Sequence, residues 1–124
     1  MIVAARAPLD NLLAYQQRMG WSLEWVSTLN SDFNYDFDVS FTDQQLSDQQ
    51  VSYNYGNTPF SMSEAPGLSV FYRDDDVIYH TYSCFARGLD PLNAAYQHLD
   101  LTPKGRDEEQ LPYPMAWLKR RDEY

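Results

Sequence analysis

Residues 68–85 constrain the fold more than any other stretch of this chain. Leu68-Ser69-Val70-Phe71-Tyr72 and Val77 to Phe85 are rich in β-branched and aromatic residues, and Asp74-Asp75-Asp76 lies between them. Two such runs split by a short polar segment pair as an antiparallel hairpin. Just beyond, Asp90 stands where a helix is capped and Pro91 where its first residue needs no N–H. Leu92, Ala95, Tyr96 and Leu99 then recur at the spacing of a buried helical stripe, which Thr102 and Pro103 bring to an end.

Upstream, Met1 to Arg6 is a short, mostly apolar run of the kind found in strands buried on both faces. Pro8 suits a first helical position, and Leu9, Leu12, Leu13 and Met19 follow at largely helical spacing, with Gly20 placed for a left-handed cap. Trp21 to Val26 fits either a strand or a packed connection. From Ser31 to Phe41 aromatics alternate with polar residues, so the period suggests extended chain while the Asp and Asn content favours turns. Thr42-Asp43-Gln44-Gln45 has the spacing of a capping box. Ser47 to Pro66, polar and tyrosine-rich with Gly56 and Pro59, reads as a long surface loop or lid. Met115 to Leu118 in the tail predicts a short packed helix. The order strand, helix, connection, hairpin, helix is an α/β arrangement with a mixed sheet. The length of 124 residues suits a single domain over 1–124.

Composition narrows the functional classes. A formal charge of −9 opposes nucleic-acid binding, which needs clustered Lys and Arg. The basic run Lys119-Arg120-Arg121 is followed at once by Asp122-Glu123, which cancels most of its field. No apolar run approaches the roughly 18 residues of a membrane span. The one cysteine, Cys84, excludes a self-contained dithiol cycle and fits a reducing, cytoplasmic setting.

Several segments together resemble a known family. They are Ala5-Arg6-Ala7-Pro8-Leu9, Met19-Gly20-Trp21, Ser31-Asp32-Phe33-Asn34-Tyr35-Asp36-Phe37 and Pro66-Gly67-Leu68-Ser69-Val70-Phe71-Tyr72-Arg73. Ala86-Arg87-Gly88-Leu89-Asp90, Leu99 to Asp107 and the closing Arg121-Asp122-Glu123-Tyr124 extend the likeness over nearly the whole chain. The chain resembles the bacterial thioredoxin-like family catalogued as domain of unknown function eight-nine-nine. The resemblance implies a thioredoxin-like, peroxiredoxin-like mixed sheet without its N-terminal strand-helix unit, the part in which family members place a pair of cysteines. The strands flanking such a gap would keep unpaired backbone groups, so self-association, as a dimer, is expected. A second copy could fill the gap, or the opening strand could slide in beside the hairpin.

Individual residues carry competing readings. Cys84 as a reactive thiol would need exposure and a positive neighbour, whereas an unpaired cysteine in a strand is more often a small buried hydrophobe. By the resemblance, Pro66 stands where thioredoxins place a substrate-facing cis-proline; a trans proline ending a loop is the other reading. Arg87 matches an arginine that steadies the reactive cysteine of peroxiredoxin-like relatives, and a structural pairing with Asp90 is preferred here. Tyr53 and Tyr55, with Tyr72 or Tyr79, could line a groove for a protein or peptide, or could be ordinary core edge. His80 and Ser83 invite a nucleophile reading, but an odd separation on a strand should send them to opposite faces. His98 is far away in sequence, so zinc is not expected. Asp32 to Asp43 imitates a calcium loop, yet Phe37 replaces the required Gly and Asp43 the bidentate Glu, so a hydrogen-bonded turn is preferred.

These readings predict a binding or self-associating domain with no catalytic residues, metal or cofactor. The alternative is one part of a peroxiredoxin-like or thiol–disulfide oxidoreductase whose cysteines lie on an upstream segment.

Overall fold

The computed structural model describes residues 1–56 and 60–124. In chain order its elements are β1 (Ile2–Ala5), α1 (Leu9–Met19), β2 (Glu24–Ser27), α2 (Phe33–Asp36), α3 (Asp43–Ser47), β3 (Gly67–Asp74), β4 (Val77–Phe85) and α4 (Ala94–Leu99). Short 3-10 turns occupy Ala86–Leu92 and Arg121–Glu123, and the Tyr53–Gly56 turn passes through left-handed Asn54 and Tyr55. Two compact units result, one from residues 1–30 and 93–124 and the other from residues 31–92.

In the first unit β1 and β2 pair in parallel, with Ile2 opposite Glu24 and Ala5 opposite Ser27, and α1 packs beside β2. Pro8 sits one position before the helix; its carbonyl accepts the Asn11 and Leu12 N–H groups. Gly20 ends α1 with φ 65°, as its position predicts, and the two successive N–H groups of Gly20 and Trp21 reach the Gln17 and Gln16 carbonyls. The expected burial of β1 on both faces does not occur. Ile2 is 58% exposed, because a two-stranded ladder beside one helix has only one covered face. For the same reason Leu12 and Met19 are buried while Leu9 and Leu13 stay largely exposed.

The last helix also differs from expectation. The 3-10 turn of Ala86–Leu92 takes up Asp90 and Pro91, so α4 starts later and is capped by Asn93, whose Oδ1 accepts the Ala95 and Tyr96 N–H groups. Leu92 therefore leaves the buried stripe, and Tyr96 alone in α4 is fully buried. Met115 to Leu118 forms a turn closed by a Leu118 N–H···O=C Met115 bond rather than a helix.

In the second unit the alternating stretch is a compact turn, not extended chain. Over α2 and just beyond, the Val39 and Ser40 N–H groups both donate to the carbonyl of buried Asn34, and Asp38 takes φ 53°. The capping box of α3 forms as its spacing predicts, with Gln45 N–H to Thr42 Oγ1 at 3.2 Å and Thr42 N–H to Gln45 Oε1 at 2.9 Å. The loop from Ser47 to Pro66 is more than surface: Tyr53 enters the core with Phe41 and Phe85, and Phe60 packs against them. The 57–59 part of that loop, Pro59 included, lies outside the described residues.

The hairpin has the predicted strands. Asp74 pairs with Val77 across a two-residue turn, where Asp75 adopts φ 50°, a left-handed conformation that Asp tolerates. Val70 pairs with Tyr82, but the next residue, Phe71, pairs with His80, which leaves Thr81 as an extra residue in β4. This is a β-bulge. The class is α/β with both parallel and antiparallel pairing, as expected. Among the described residues the two pairings lie in separate two-stranded ladders, β1–β2 and β3–β4, and the partner of the opening strand is β2. Among those residues no helix is long and apolar enough to cross a membrane.

Candidate functional site

The bulge at Thr81 decides which side chains the hairpin brings together. Without it, His80 and Ser83 would lie on opposite faces. With it, one face carries the pairs Ser69–Ser83, Phe71–His80 and Arg73–Ile78, and the other carries Val70–Tyr82, Tyr72–Tyr79 and Asp74–Val77. The parity argument against a His80–Ser83 contact is therefore overturned: His80 Nε2 is 2.8 Å from Ser83 Oγ. Ser83 Oγ is in turn 2.8 Å from Ser69 Oγ. Phe37 meets the His80 ring edge-on at 5.1 Å, and Phe71 lies 5.3 Å from it.

The contact does not make a nucleophile. His80 Nε2 is also 3.0 Å from the carbonyl oxygen of Tyr82. A carbonyl only accepts, so the network assigns the proton to Nε2. The one Nε2 proton then faces both the Tyr82 carbonyl and Ser83 Oγ, and a nitrogen that carries a proton cannot take one from Ser83 as general-base activation requires. The group pins the bulge.

The opposite face is mostly apolar and exposed, with Asp74 beside Val77 at its tip. Val70, Tyr72, Val77, Tyr79 and Tyr82 are each between 43% and 59% exposed. Toward the hairpin root the same face carries Leu68 and Cys84. The Cys84 side chain is buried, as for a small hydrophobe. Hydrogen bonding with the Cys84 side chain, followed by its charge and by desolvation, holds the Tyr82 phenol above its ordinary value.

Tyr53 and Tyr55 part company. Tyr53 is core: its hydroxyl donates to the Pro66 carbonyl at 2.9 Å and accepts the Ala86 N–H at 2.9 Å, tying the two roots of the hairpin together. Tyr55 is 69% exposed, its ring edge-on to Phe85 at 5.4 Å and its hydroxyl donating to the Ser83 carbonyl. Pro66 follows a trans peptide bond, since the described residues contain no cis bond. Arg87 pairs with Asp90 at 3.1 Å.

An open depression of about 520 Å³ is lined by Asp32, Tyr35, Asp38, Ser40, Thr42 and Gln45. Ser52 donates to Asp38 Oδ1 there, and among the described residues no group of three or more His, Cys, Asp or Glu side chains is placed to hold a metal ion. His98 lies exposed on α4, in the other unit from His80.

One polar centre escaped the sequence reading. In the first unit Glu108 accepts from the Tyr96 hydroxyl at 3.0 Å, the Met115 N–H at 2.9 Å and the Trp117 indole at 2.5 Å. Arg106 lies 3.7 Å over the Tyr96 ring and forks onto Asp100 with bonds of 2.7 and 2.6 Å. Burial pushes the Glu108 carboxyl up, but the Trp117, Met115 and Tyr96 donors and the Arg106 charge outweigh it and hold it below the ordinary value. The glutamate is one acidic residue among many in sequence; only its three donors single it out.

A family model described as a bacterial protein of unknown function, DUF899, matches residues 1–124. The chain belongs to that family. No curated protein and no solved structure matches it. DUF899 membership covers the hairpin, the bulge and the Glu108 centre alike, and the family description assigns an activity to none of them.

Proposed function

We propose that this member of the DUF899 family is a binding and self-associating module of thioredoxin-like build, working in the cytoplasm without a catalytic cycle of its own. The observation that carries this reading is the pair of two-stranded ladders. Each of the four strands has one hydrogen-bonded neighbour among the described residues, so each has a second edge that is not laddered to another strand. An isolated two-stranded hairpin is marginal in water, and added strands or a packed face stabilise it. A partner chain supplies either one. Three further features agree with binding rather than turnover: Cys84 is buried, Arg87 is engaged by Asp90, and His80 Nε2 lies against the Tyr82 carbonyl.

The test is molar mass in solution by light scattering on a sizing column at two concentrations. A mass of twice the 14.5 kDa chain, or one that rises with concentration, supports the reading. A monomer at both concentrations with a cooperative thermal transition overturns it.

A further inference from the structure

We propose that residues 119–124 form a charge latch, a short strap that closes over Tyr15 and the C-terminal end of α1 and opens when its ion pairs are screened. The latch lies within the first unit and does not rest on the self-association proposed above.

The basic run Lys119-Arg120-Arg121 and the acids that follow it do more than neutralise one another, because the fold sends them to different places. Arg18, in the last turn of α1, meets Asp122 at 2.6 Å. Arg121 lies over Gly20, the residue that caps α1; a Cβ on that glycine would stand 3.2 Å from the guanidinium. A cation at this position faces the negative end of the helix dipole. Arg120 stands 5.6 Å from the centroid of the Tyr15 ring and 3.3 Å from Glu123. Tyr15 in turn meets Trp21 and Trp25 edge-on at 5.5 and 6.4 Å, so Arg120 is the strap's contact with a group of three rings.

Two properties make this a latch and not a fixed part of the core. The segment holds its own shape. Arg120 N–H donates to Glu123 Oε2 at 3.1 Å, Glu123 N–H to the Arg120 carbonyl at 2.9 Å, and Lys119 N–H to the Tyr124 hydroxyl at 3.1 Å. It can therefore swing away without losing these bonds. In addition, all six residues are exposed, Tyr124 at 79%, so no buried apolar side chain anchors them. What holds the strap down is charge within reach of salt, the Arg18 and Asp122 side chains being 49% and 37% exposed. Closed and open forms thus lie close in free energy, the condition under which a modest change of surroundings shifts the balance. Opening bares the side of Tyr15 that Arg120 covers and frees three basic residues.

Trypsin reads the latch on the full-length protein, because Lys119, Arg120 and Arg121 are cleavage positions and cutting follows the population of the open form. The rate of cutting at 119–121, followed by intact mass, is taken relative to a free peptide of residues 113–124 carrying the same substitution in the same salt. Asp122→Asn and Arg18→Gln should each raise the relative rate about 2–5-fold, the ordinary contribution of one exposed ion pair. The double variant should be no faster than either single one, since both remove the same contact. Raising sodium chloride from about 0.05 M to about 0.5 M should speed the cutting of wild type and leave the double variant nearly unchanged. Single variants that are cut at the wild-type rate, a double variant in which the two effects add, or a wild type indifferent to salt overturns the latch. Circular dichroism checks that α1 is intact; if Arg18→Gln loses helix, Asp122→Asn with its salt series is read by the same criteria.

Discussion

His80 and Ser83, three positions apart on one strand, share a face of the hairpin, with Nε2 2.8 Å from Oγ. The shared face follows from the extra residue at Thr81, and the direction of the bond follows from the Tyr82 carbonyl on the same nitrogen. Ser83 is thus an acceptor held in place. A fluorophosphonate probe, which labels activated serines, is expected to leave the intact mass of the protein unchanged. Ser83→Ala should lower stability by only about 0.5–1.5 kcal/mol, the ordinary contribution of one hydrogen bond, measured by urea denaturation. Labelling at Ser83 would show that the proton sits elsewhere than on Nε2.

Tyr53 has a different kind of importance, because its hydroxyl serves two main-chain groups at once. Tyr53→Phe keeps the ring among Phe41, Phe60 and Phe85 but leaves the Pro66 carbonyl and the Ala86 N–H without it. The expected loss is about 1–3 kcal/mol, the cost of an unsatisfied buried polar group, read as a lower denaturation midpoint with unchanged slope. Retained stability would mean that water replaces the phenol.

Gly67 opens β3 where no side chain fits. A Cβ there would stand 2.7 Å from Val39 Cγ1 and 3.1 Å from two ring carbons of Phe85. Val is branched and stiff, so the backbone must give way. Gly67→Ala is expected to cost about 1–3 kcal/mol as overpacking, with a drop in melting temperature as the readout.

Glu108 predicts the acid behaviour of the first unit. Its carboxyl is held below the ordinary value of 4.5 in the folded chain, so the folded state binds this proton less readily than the unfolded one. The stabilisation is complete above the unfolded value and is lost as pH falls through the folded one. Acidification below about pH 4.5 should therefore loosen the Tyr96–Trp117 contact, seen as a shift in tryptophan fluorescence. Glu108→Gln should flatten that acid limb, and an unchanged limb would place the titration elsewhere.

What the sequence disclosed was local and periodic. The hairpin, the Gly20 cap and the Thr42–Gln45 box depend on neighbours within a few residues, and all three are found where the pattern puts them. Asp90 misled because two segments competed for it. The 3-10 turn after β4 claimed Asp90 for Arg87, and Asn93, three residues on, had the better-placed side chain for α4. At the site, the strand period was sound but the count was not. A bulge is one residue of slippage between two strands, and nothing in Val77 to Phe85 alone announces where the partner strand will skip. Glu108 was hidden for a similar reason: its three donors come from residues 96, 115 and 117, which only the folded chain gathers.

The clasp made by Tyr53 has a consequence for how this molecule can vary. Because one phenol holds Pro66 and Ala86 together, the spacing of the hairpin's two ends is set at its base and does not depend on its far end. The arm beyond the bulge can therefore be lengthened, shortened or re-tipped by matched pairs of residues without asking the core to move. Across the relatives of this chain, the base should stay constant in length while the arm is free to drift.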